Sequence, residues 1–433
     1  MRLSSAHSKQ VCALACLLSM HGVVAAAAAP AAESSGVLTL AQAIEAAISR
    51  NPELQASSYE LKAANARIMQ ARLRPNPEAS LEIDGIAGRG IAASPDERQA
   101  TLSLSQVLEL GDKRGRRVTV AGFERDLAGI EQQARQLDVL AEVTRRFIDV
   151  VAAQERVSLA RETSSLTERT ARAITARVEA ARTPEAELSR ARITVTRAHA
   201  DERQAESVLR GAKRTLVAMW GATIPGFQSA RADLLTLEPL DSFEALQDRM
   251  ARNPELTRFA SESRLRDAEM RLAQSQTRPN LTVGVGIRRF QATGDIGFTA
   301  GFTMPLPLFD RNQGAIAAAQ VRSQQTRAQE QATRIRLQAQ LFALYQQLLS
   351  SRDLLTTLQS EALPQARAAL DQTQVGYDRG RFSYLELGAA QQDLVSLRTS
   401  VIETAADYHR LIAEIERLTA EPIVSQATTP ELP

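Results

Sequence analysis

RPNPEASLEI (residues 74–83) ends a helical pattern and begins an alternating one, and RPNLTVGV (residues 278–285) makes the same change in the second half of the chain. Proline ends each helix because its ring disfavours α geometry in the residue before it. The alternation that follows predicts one β-hairpin in each half. We expect the four strands at residues 79–86, 99–108, 281–290 and 296–304.

The segments around each hairpin also occur twice. Helices interrupted at Asn51-Pro52 or Asn253-Pro254 precede the hairpin, and a long helix, a turn and a return helix follow it. The predicted long helices, each of about 64 residues or ~96 Å, exceed what a globular core needs. They span 116–179 and 315–378, and Pro364 indicates a kink in the second one. The return helices span 184–219 and 384–419. The chain therefore contains two structural repeats, at 33–220 and 241–420, joined by a connector at 221–240.

Each return helix begins with its own N-terminal signal. In the first turn, Thr183 followed by Pro184 is typical of an N-cap with proline at the first helical position. In the second turn, Ser383 with Glu386 three residues later is typical of a capping box. The two turns therefore lie at matching places in the two repeats.

The N-terminus is typical of a signal peptide, expected at residues 1–32. Arg2 and Lys9 carry positive charge, and an apolar run at 11–29 leads into small residues. Both cysteines, Cys12 and Cys16, fall in this segment, and lipidation of Cys16 stays open as an alternative. The mature chain would have no cysteine, which excludes disulfide and thiol chemistry. At the other end, residues 421–433 are expected to form a flexible tail.

Charge and residue inventory exclude several classes of function. Removing Arg2 and Lys9 from the 52 basic side chains leaves 50, which balance the 50 acidic ones and give no support for a nucleic-acid partner. Outside the predicted signal the histidines are His199 and His409, too few for a transition-metal site that needs three or four converging ligands. No nucleophile–base set is present. We predict neither an enzyme nor a bound metal or cofactor.

This order of elements, twice over behind a signal peptide, resembles the TolC-type outer-membrane efflux protein family over essentially the whole mature chain. The details are most similar to the heavy-metal (cobalt–zinc–cadmium) resistance branch. The segments that carry the likeness are RPNP (74–77), LELGDKR (108–114) and MPLPLFDRNQG (304–314).

The resemblance implies a mainly α fold with a small β part. Each repeat would contribute one hairpin and one pair of long helices. Three subunits would form a twelve-stranded outer-membrane β-barrel continued by a periplasmic α-helical barrel. The expected partners are two further copies of the chain, outer-membrane lipid, a periplasmic adaptor (membrane fusion) protein and an inner-membrane pump of the resistance-nodulation-division type. The expected function is a passive exit duct, opened by the adaptor, for divalent heavy-metal cations delivered by the pump.

By the same resemblance, the two turns are the periplasmic tips that meet the adaptor. The expected contact residues are Arg182, Thr183, Ala186, Glu187 and Leu188 in the first turn and Gly380, Arg381, Ser383, Leu385, Glu386 and Leu387 in the second. Glu386 occupies the place of an acid that rings the closed tip in the family. A second acid is common three positions later, where this chain has Ala389, so the carboxylate gate is either absent or built differently, from Glu386 with Glu187. Alternatively, Glu386 is only a member of its capping box.

Two alternative functions stay open at this stage. One is a drug or protein-export channel of the same fold. The other is a periplasmic coiled-coil scaffold with a small soluble sheet, although it does not explain why hairpin and bend recur in both halves. Within the predicted third strand, Arg288 and Arg289 point to opposite faces if the strand is regular, so at most one of them faces a lumen.

Overall fold

The computed structural model describes residues 36–86, 98–237 and 239–421. The predicted signal with both cysteines, and the predicted tail beyond Glu421, lie outside these residues. In chain order the elements are β1 (Val37–Leu38), α1 (Leu40–Arg50), α2 (Pro52–Ala71), β2 (Glu78–Asp84), β3 (Gln99–Leu108), α3 (Lys113–Glu179), α4 (Glu185–Val217), β4 (Ser229–Ala230), α5 (Phe243–Met250), α6 (Pro254–Ser275), β5 (Leu281–Phe290), β6 (Ile296–Thr303), α7 (Gln313–Thr357), α8 (Leu363–Asp378) and α9 (Tyr384–Thr419).

One asparagine has the same structural role in each repeat. Asn51 is extended, with φ −61° and ψ 124°, so it ends α1 and starts α2, as its following proline predicts. Its Oδ1 accepts from the backbone of Glu53 at 2.9 Å, and its Nδ2 donates to the carbonyl of Met219 at 2.8 Å. Asn253 likewise caps α6 and donates to the carbonyl of Leu418 at 2.8 Å. Each asparagine therefore ties the start of its repeat to the end of the return helix in that repeat.

The two hairpins form one antiparallel sheet in the order β2-β3-β5-β6. The inner pairing, β3 with β5, joins the two repeats, and its register places Leu104 opposite Val285. β2 spans Glu78–Asp84 where 79–86 was expected, and β6 ends at Thr303 rather than 304. β2 and β6 are the outer strands of the sheet, and within the described residues neither has a second neighbour.

The two long helices differ in continuity. α3 runs unbroken for 67 residues and starts earlier than the predicted residue 116. The helix expected at 315–378, with a kink indicated at Pro364, is interrupted by a π-helical turn, Leu358–Ala362, which separates α7 from α8. Pro364 gives a physical reason. It has no N–H to donate, and its ring clashes with the carbonyl four residues earlier in an α-helix, which a wider π turn relieves.

The return helices also differ slightly from expectation. The first, predicted at 184–219, is α4 followed by a 3₁₀ turn, Ala218–Trp220, which Gly221 ends with φ 75°. It begins at Glu185 rather than Pro184 because Pro184 is extended, with ψ 146°. Thr183 is therefore not the N-cap, and no side chain caps this helix. The second return helix, α9, begins after Ser383.

The buried side chains form three clusters along the helices instead of one thick core. The largest surrounds Phe147 and Trp220, where α1, α3 and the connector meet. The connector is held there by parallel pairing of β1 with β4 and by Gln154, whose side chain both donates to and accepts from the backbone of Ala230 at 2.7 Å. A second cluster lies around Leu341 and Tyr408. A third lies at the turns between paired helices, α3–α4 and α8–α9, which are called the hairpin turns below. Among the described helices, none is long and apolar enough to cross a membrane.

Candidate functional site: the hairpin turns and the strand sheet

The turn between α3 and α4 closes with a Schellman motif. The backbone N–H of Arg182 donates to the carbonyl of Arg177 at 2.8 Å, and that of Ala181 donates to Val178 at 2.8 Å. Ala181 adopts a left-handed conformation, with φ 55°. A residue with a Cβ is strained there by roughly 1–2 kcal/mol. The first turn therefore contains backbone strain.

The turn between α8 and α9 has the same backbone hydrogen bonds. Arg381 N–H donates to the carbonyl of Gly376 at 2.8 Å, and Gly380 N–H donates to Tyr377 at 3.0 Å. Here the left-handed position, φ 74°, is taken by Gly380, which has no Cβ to strain. The glycine explains why this turn closes without backbone strain.

The capping box predicted for the second turn is confirmed. The backbone of Glu386 donates to Ser383 Oγ, and the carboxylate of Glu386 accepts from the Ser383 backbone at 2.7 Å and from its hydroxyl at 2.9 Å. These hydrogen bonds, the backbone one first, hold the pKa of Glu386 below its ordinary value. In the first turn, Glu187 stands at the equivalent place. Within the described residues its carboxylate makes no hydrogen bond or ion pair.

The two turns are joined side by side. The Arg177 guanidinium donates from Nη1 and Nη2 to the carbonyl of Tyr377, both at 3.1 Å, and lies 4.5 Å from the centre of the Tyr377 ring. Burial raises the pKa of Tyr377 above its ordinary value, although Arg177 opposes this shift. A second link joins Tyr384 Oη and Thr194 Oγ1 at 3.2 Å. The end of the α3–α4 helix pair is therefore fixed against the end of the α8–α9 pair.

The structure separates the predicted tip residues by exposure. The exposed ones are Arg182, Ala186, Gly380, Arg381, Ser383, Leu385 and Glu386, and the half-buried ones are Thr183 and Glu187. Leu188 and Leu387 need correction as surface contacts. They are 8% and 0% exposed and pack with Ile174 and Tyr384 between the hairpins. Their apolar side chains stabilise the tips rather than face a partner.

Sequence reasoning missed Gly376, Tyr377 and Phe382 at the second turn. It also missed Arg177, which links the first turn to the second. Phe382 is exposed, and its ring lies over Gly376, where even a methyl group would overlap it. The glycine and phenylalanine flanking the turn offered a signal for the first contact. The contact between Arg177 and Tyr377 joins different repeats, and one sequence does not show such a pairing.

The sheet has one polar and one apolar face. Register puts Glu82, Thr101 and Arg288 side by side on the polar face, where Arg288 Nε donates to Thr101 Oγ1 at 3.0 Å. The residues next in sequence form a row on the other face, which is exposed and apolar: Leu81, Leu102, Ile287 and Phe298. Arg289 lies on that apolar face, opposite Ile296 at the strand end. Of the two arginines, only Arg288 is on the face suited to a water-filled lumen.

The histidines lie in separate places. His199 Nε2 is 3.1 Å from a carboxylate oxygen of Glu168 between α3 and α4. His409 Nε2 is 3.1 Å from the carbonyl of Leu234, near the connector. Across residues 36–86, 98–237 and 239–421, no three side chains of His, Cys, Asp or Glu converge in a way that could hold a metal ion.

The duplicated fold with its open four-stranded sheet matches known proteins in both sequence and structure. The family model described as outer membrane efflux protein matches residues 43–222 and 245–421, one match to each repeat. The chain belongs to the outer membrane efflux protein family. This membership confirms the resemblance inferred from the sequence and assigns the chain to the outer membrane, with its helices extending into the periplasm. The family is one of transport channels and is not a class of enzymes.

Individual relatives extend this likeness over most of the chain. The cobalt-zinc-cadmium resistance protein CzcC of Cupriavidus metallidurans is 30% identical over 386 residues, which cover 89% of this chain and 91% of CzcC. The nickel-cobalt-cadmium resistance protein NccC of Alcaligenes xylosoxydans xylosoxydans is 27% identical over 280 residues, 64% of this chain and 62% of NccC. The crystal structure of the outer membrane protein VceC from Vibrio cholerae superposes with a TM-score of 0.72 at 18% identity, covering 89% of this chain and 96% of VceC. That likeness confirms the predicted fold class.

Proposed function

We propose that this chain is the outer-membrane exit duct of a tripartite efflux system that exports divalent heavy-metal cations. The observation that carries the proposal is the 30% identity to a cobalt-zinc-cadmium resistance protein across 89% of this chain and 91% of that protein. The polar face of the sheet supports it. Glu78, Glu82 and Asp84 lie along β2 on that face, opposite Ser105, Thr101 and Gln99 of β3. These three carboxylates outnumber the Arg288 guanidinium on the same face, and a lumen with such a lining attracts cations.

The duct is proposed to be a homotrimer. Four strands cannot close a barrel, and the two outer strands, β2 and β6, would expose unpaired backbone groups to lipid. Because the sheet is antiparallel throughout, β6 of one copy can pair antiparallel with β2 of the next. Three copies would close a twelve-stranded barrel with an apolar outside and a polar inside. The mass of the detergent-purified protein tests this, and a stable monomer would contradict it.

The substrate is tested by metal tolerance in a deletion strain complemented in trans. Zinc, cobalt, cadmium, nickel and copper are compared with several antibiotics. We expect sensitivity to divalent metals only, restored by the wild-type gene. Sensitivity to antibiotics with unchanged metal tolerance would leave the duct and replace its substrate by drugs. Release of the protein from membranes by urea, without detergent, would instead favour the scaffold alternative.

The adaptor is proposed to dock on the exposed tip residues, and a resistance-nodulation-division type pump would supply the substrate. Leu385 is the most suitable probe because it is 60% exposed beside the second turn, whereas Leu387 is buried. Leu385→Asp is expected to lower metal tolerance and adaptor crosslinking while the trimer still assembles. Leu354→Asp, a change of another exposed leucine, on α7, is the matched control. Equal loss in both variants would contradict docking at the turn.

The closed tip is proposed to be gated by the carboxylates of Glu187 and Glu386. Glu386 is engaged in its own capping box, whereas Glu187 makes no such bonds within the described residues, so Glu187 is the better probe. Glu187→Gln is expected to reduce the cation selectivity of the resting channel in planar bilayers. Unchanged selectivity in Glu187→Gln and in Glu386→Gln would contradict the gate.

A further inference from the structure

All four junctions between helices and strands lie at one end of the sheet. We name them together the junction collar: residues 72–77, 109–112, 276–280 and 304–312. Hydrogen bonds connect the junctions across both repeats. Lys113 Nζ, at the start of α3, donates to Asn280 Oδ1 at 2.6 Å, and Asn312 Nδ2 donates to the carbonyl of Ala273 at 2.8 Å. These bonds tie the junctions at 109–112, 276–280 and 304–312 to their neighbours, so these three are not independent loops.

The collar exposes apolar side chains that the fold does not use. Leu306, Leu308 and Phe309 are 70%, 66% and 92% exposed in the junction between β6 and α7. The apolar positions of β6 are its even-numbered residues, and in sequence this alternation continues through Met304, Leu306 and Leu308. Leu73 is also exposed, in the junction before β2. The neighbouring exposed side chains of Leu306, Leu308 and Phe309 form the kind of apolar surface that marks a contact with another molecule or with a membrane.

The collar also carries cationic side chains without anionic partners. Arg74, Arg278 and Arg311 lie in three of the four junctions. Within the described part of the chain, none of their guanidinium groups makes an ion pair or a hydrogen bond with another residue. An open groove of about 640 Å³ runs beside Leu73 and Arg74, and Arg117, which also lines it, is paired there with Glu109. Guanidinium groups bind phosphate oxygens in a bidentate manner, so Arg74 at the rim of this groove, with Arg278 and Arg311, suits an anionic headgroup.

We propose that the junction collar is a lipid-binding surface. Its apolar side chains would insert into the periplasmic leaflet of the outer membrane, and its arginines would bind the phosphates of anionic phospholipids there. The lipid is favoured over a neighbouring subunit because Met304, Leu306 and Leu308 follow in sequence the apolar positions of β6, whose apolar face must meet lipid if the polar face lines the duct. Apolar residues with cations at the headgroup level are the general pattern of membrane-interface anchors. The proposal depends on the outer-membrane location and not on the transported substrate.

The insertion is tested with Phe309→Trp protein reconstituted in vesicles of phosphatidylcholine and phosphatidylglycerol with brominated acyl chains. The native Trp220 gives a constant background, because it packs with Phe147, which is ~51 Å along α3 from the start of that helix. We expect the emission of the introduced indole at position 309 to be lost with brominated lipid and to change little with aqueous acrylamide. Leu385→Trp at the turn is the matched control and should show the reverse.

Two other results would overturn the insertion. Quenching of the Phe309→Trp signal by acrylamide but not by brominated lipid would place the loop in water. Quenching by neither reagent would show that a neighbouring subunit covers it.

The headgroup contact is tested with the same reporter. At equal mole fraction, brominated phosphatidylglycerol should quench the Phe309→Trp emission more than brominated phosphatidylcholine. Adding Arg74→Gln and Arg311→Gln should weaken this preference, because Arg278 alone then remains of the three arginines. Arg98→Gln with Arg289→Gln, at the opposite end of the strands, is the charge-matched control and should keep it. The absence of a preference, or a preference unchanged without Arg74 and Arg311, would overturn the assignment of the arginines.

Discussion

The two hairpin turns close with the same backbone hydrogen bonds but with different side chains. In the first turn, Ala181 adopts the left-handed conformation and Pro184 precedes a helix without a side-chain cap. In the second, Gly380 takes the equivalent position and Ser383 forms a capping box with Glu386. The second turn therefore has less strain and one more set of hydrogen bonds than the first.

The long helices leading into these turns differ in the opposite sense. α3 is continuous, whereas the π-helical turn Leu358–Ala362 and Pro364 interrupt the equivalent helix of the second repeat. The first repeat thus combines a regular helix with a strained turn, and the second combines an irregular helix with a well-capped turn. Duplication has preserved the path of the chain, while local stability is distributed differently in the two halves.

The largest expected effect concerns the buried cluster to which both turns contribute side chains. Leu188 and Leu387 occupy equivalent positions and are buried in the same cluster. Leu387→Ala should lower the free energy of local opening at the turns by about 2–5 kcal/mol, because it leaves a cavity. Hydrogen exchange of the turn amides measures this. Leu188→Ala should have a similar effect, whereas exposed Leu385→Ala should change the value by no more than about 0.5 kcal/mol.

Different effects of Leu188→Ala and Leu387→Ala on amide exchange would contradict the coupling of the two turns by one cluster. If Leu188→Ala leaves amide hydrogen exchange at the second turn unchanged, the two helix pairs open independently and the shared cluster does not couple them. If Leu385→Ala is as damaging as Leu387→Ala, the second turn is packed differently from the structure described above.

An exchange of residues between the turns tests the backbone strain. Gly380→Ala should destabilise the second turn by about 1 kcal/mol, because alanine is strained in the left-handed region. Apart from the two neighbouring residues in the chain, no atom of the described residues lies within 4 Å of the added methyl group, so strain alone would act. Ala181→Gly should stabilise the first turn by a similar or smaller amount. The same exchange experiment measures both, and equal signs for the two variants would contradict the assignment of strain to Ala181.

The caps can be exchanged in the same manner. Ser383→Ala should lower the stability of the first turn of α9 by about 1 kcal/mol, the usual loss for an N-cap. Pro184→Ser would place serine three residues before Glu187 and create the missing capping box. The expected gain, about 0.5 kcal/mol, is smaller because losing proline increases the entropy of the unfolded chain. Faster amide exchange at the start of α4 in Pro184→Ser would show that Pro184 is the better residue there.

Local sequence signals carry different amounts of information about these features. Strand alternation, the Asn-Pro breaks and the Ser383–Glu386 pattern depend on neighbouring residues, so the sequence was enough to predict the fold class and the second cap. The π-helical turn was not predicted, because Pro364 only indicates a kink. The burial of Leu188 and Leu387, and the contact of Arg177 with Tyr377, depend on how two distant hairpins pack together. No local pattern contains that information.

The smallest expected effect is a pH dependence confined to the second turn. Hydrogen bonds from Ser383 hold the pKa of Glu386 below its ordinary value. The cap therefore contributes fully above the unfolded pKa of a glutamate, and its contribution is lost as the pH falls through the lower folded pKa. Amide exchange at Glu386, corrected for intrinsic rates, should show this loss of protection in acid. Glu386→Gln should abolish the change. The first turn serves as an internal reference because it has no side-chain cap to lose, so an equal acid-induced loss at Glu187 would assign the effect to the shared cluster rather than to the capping box.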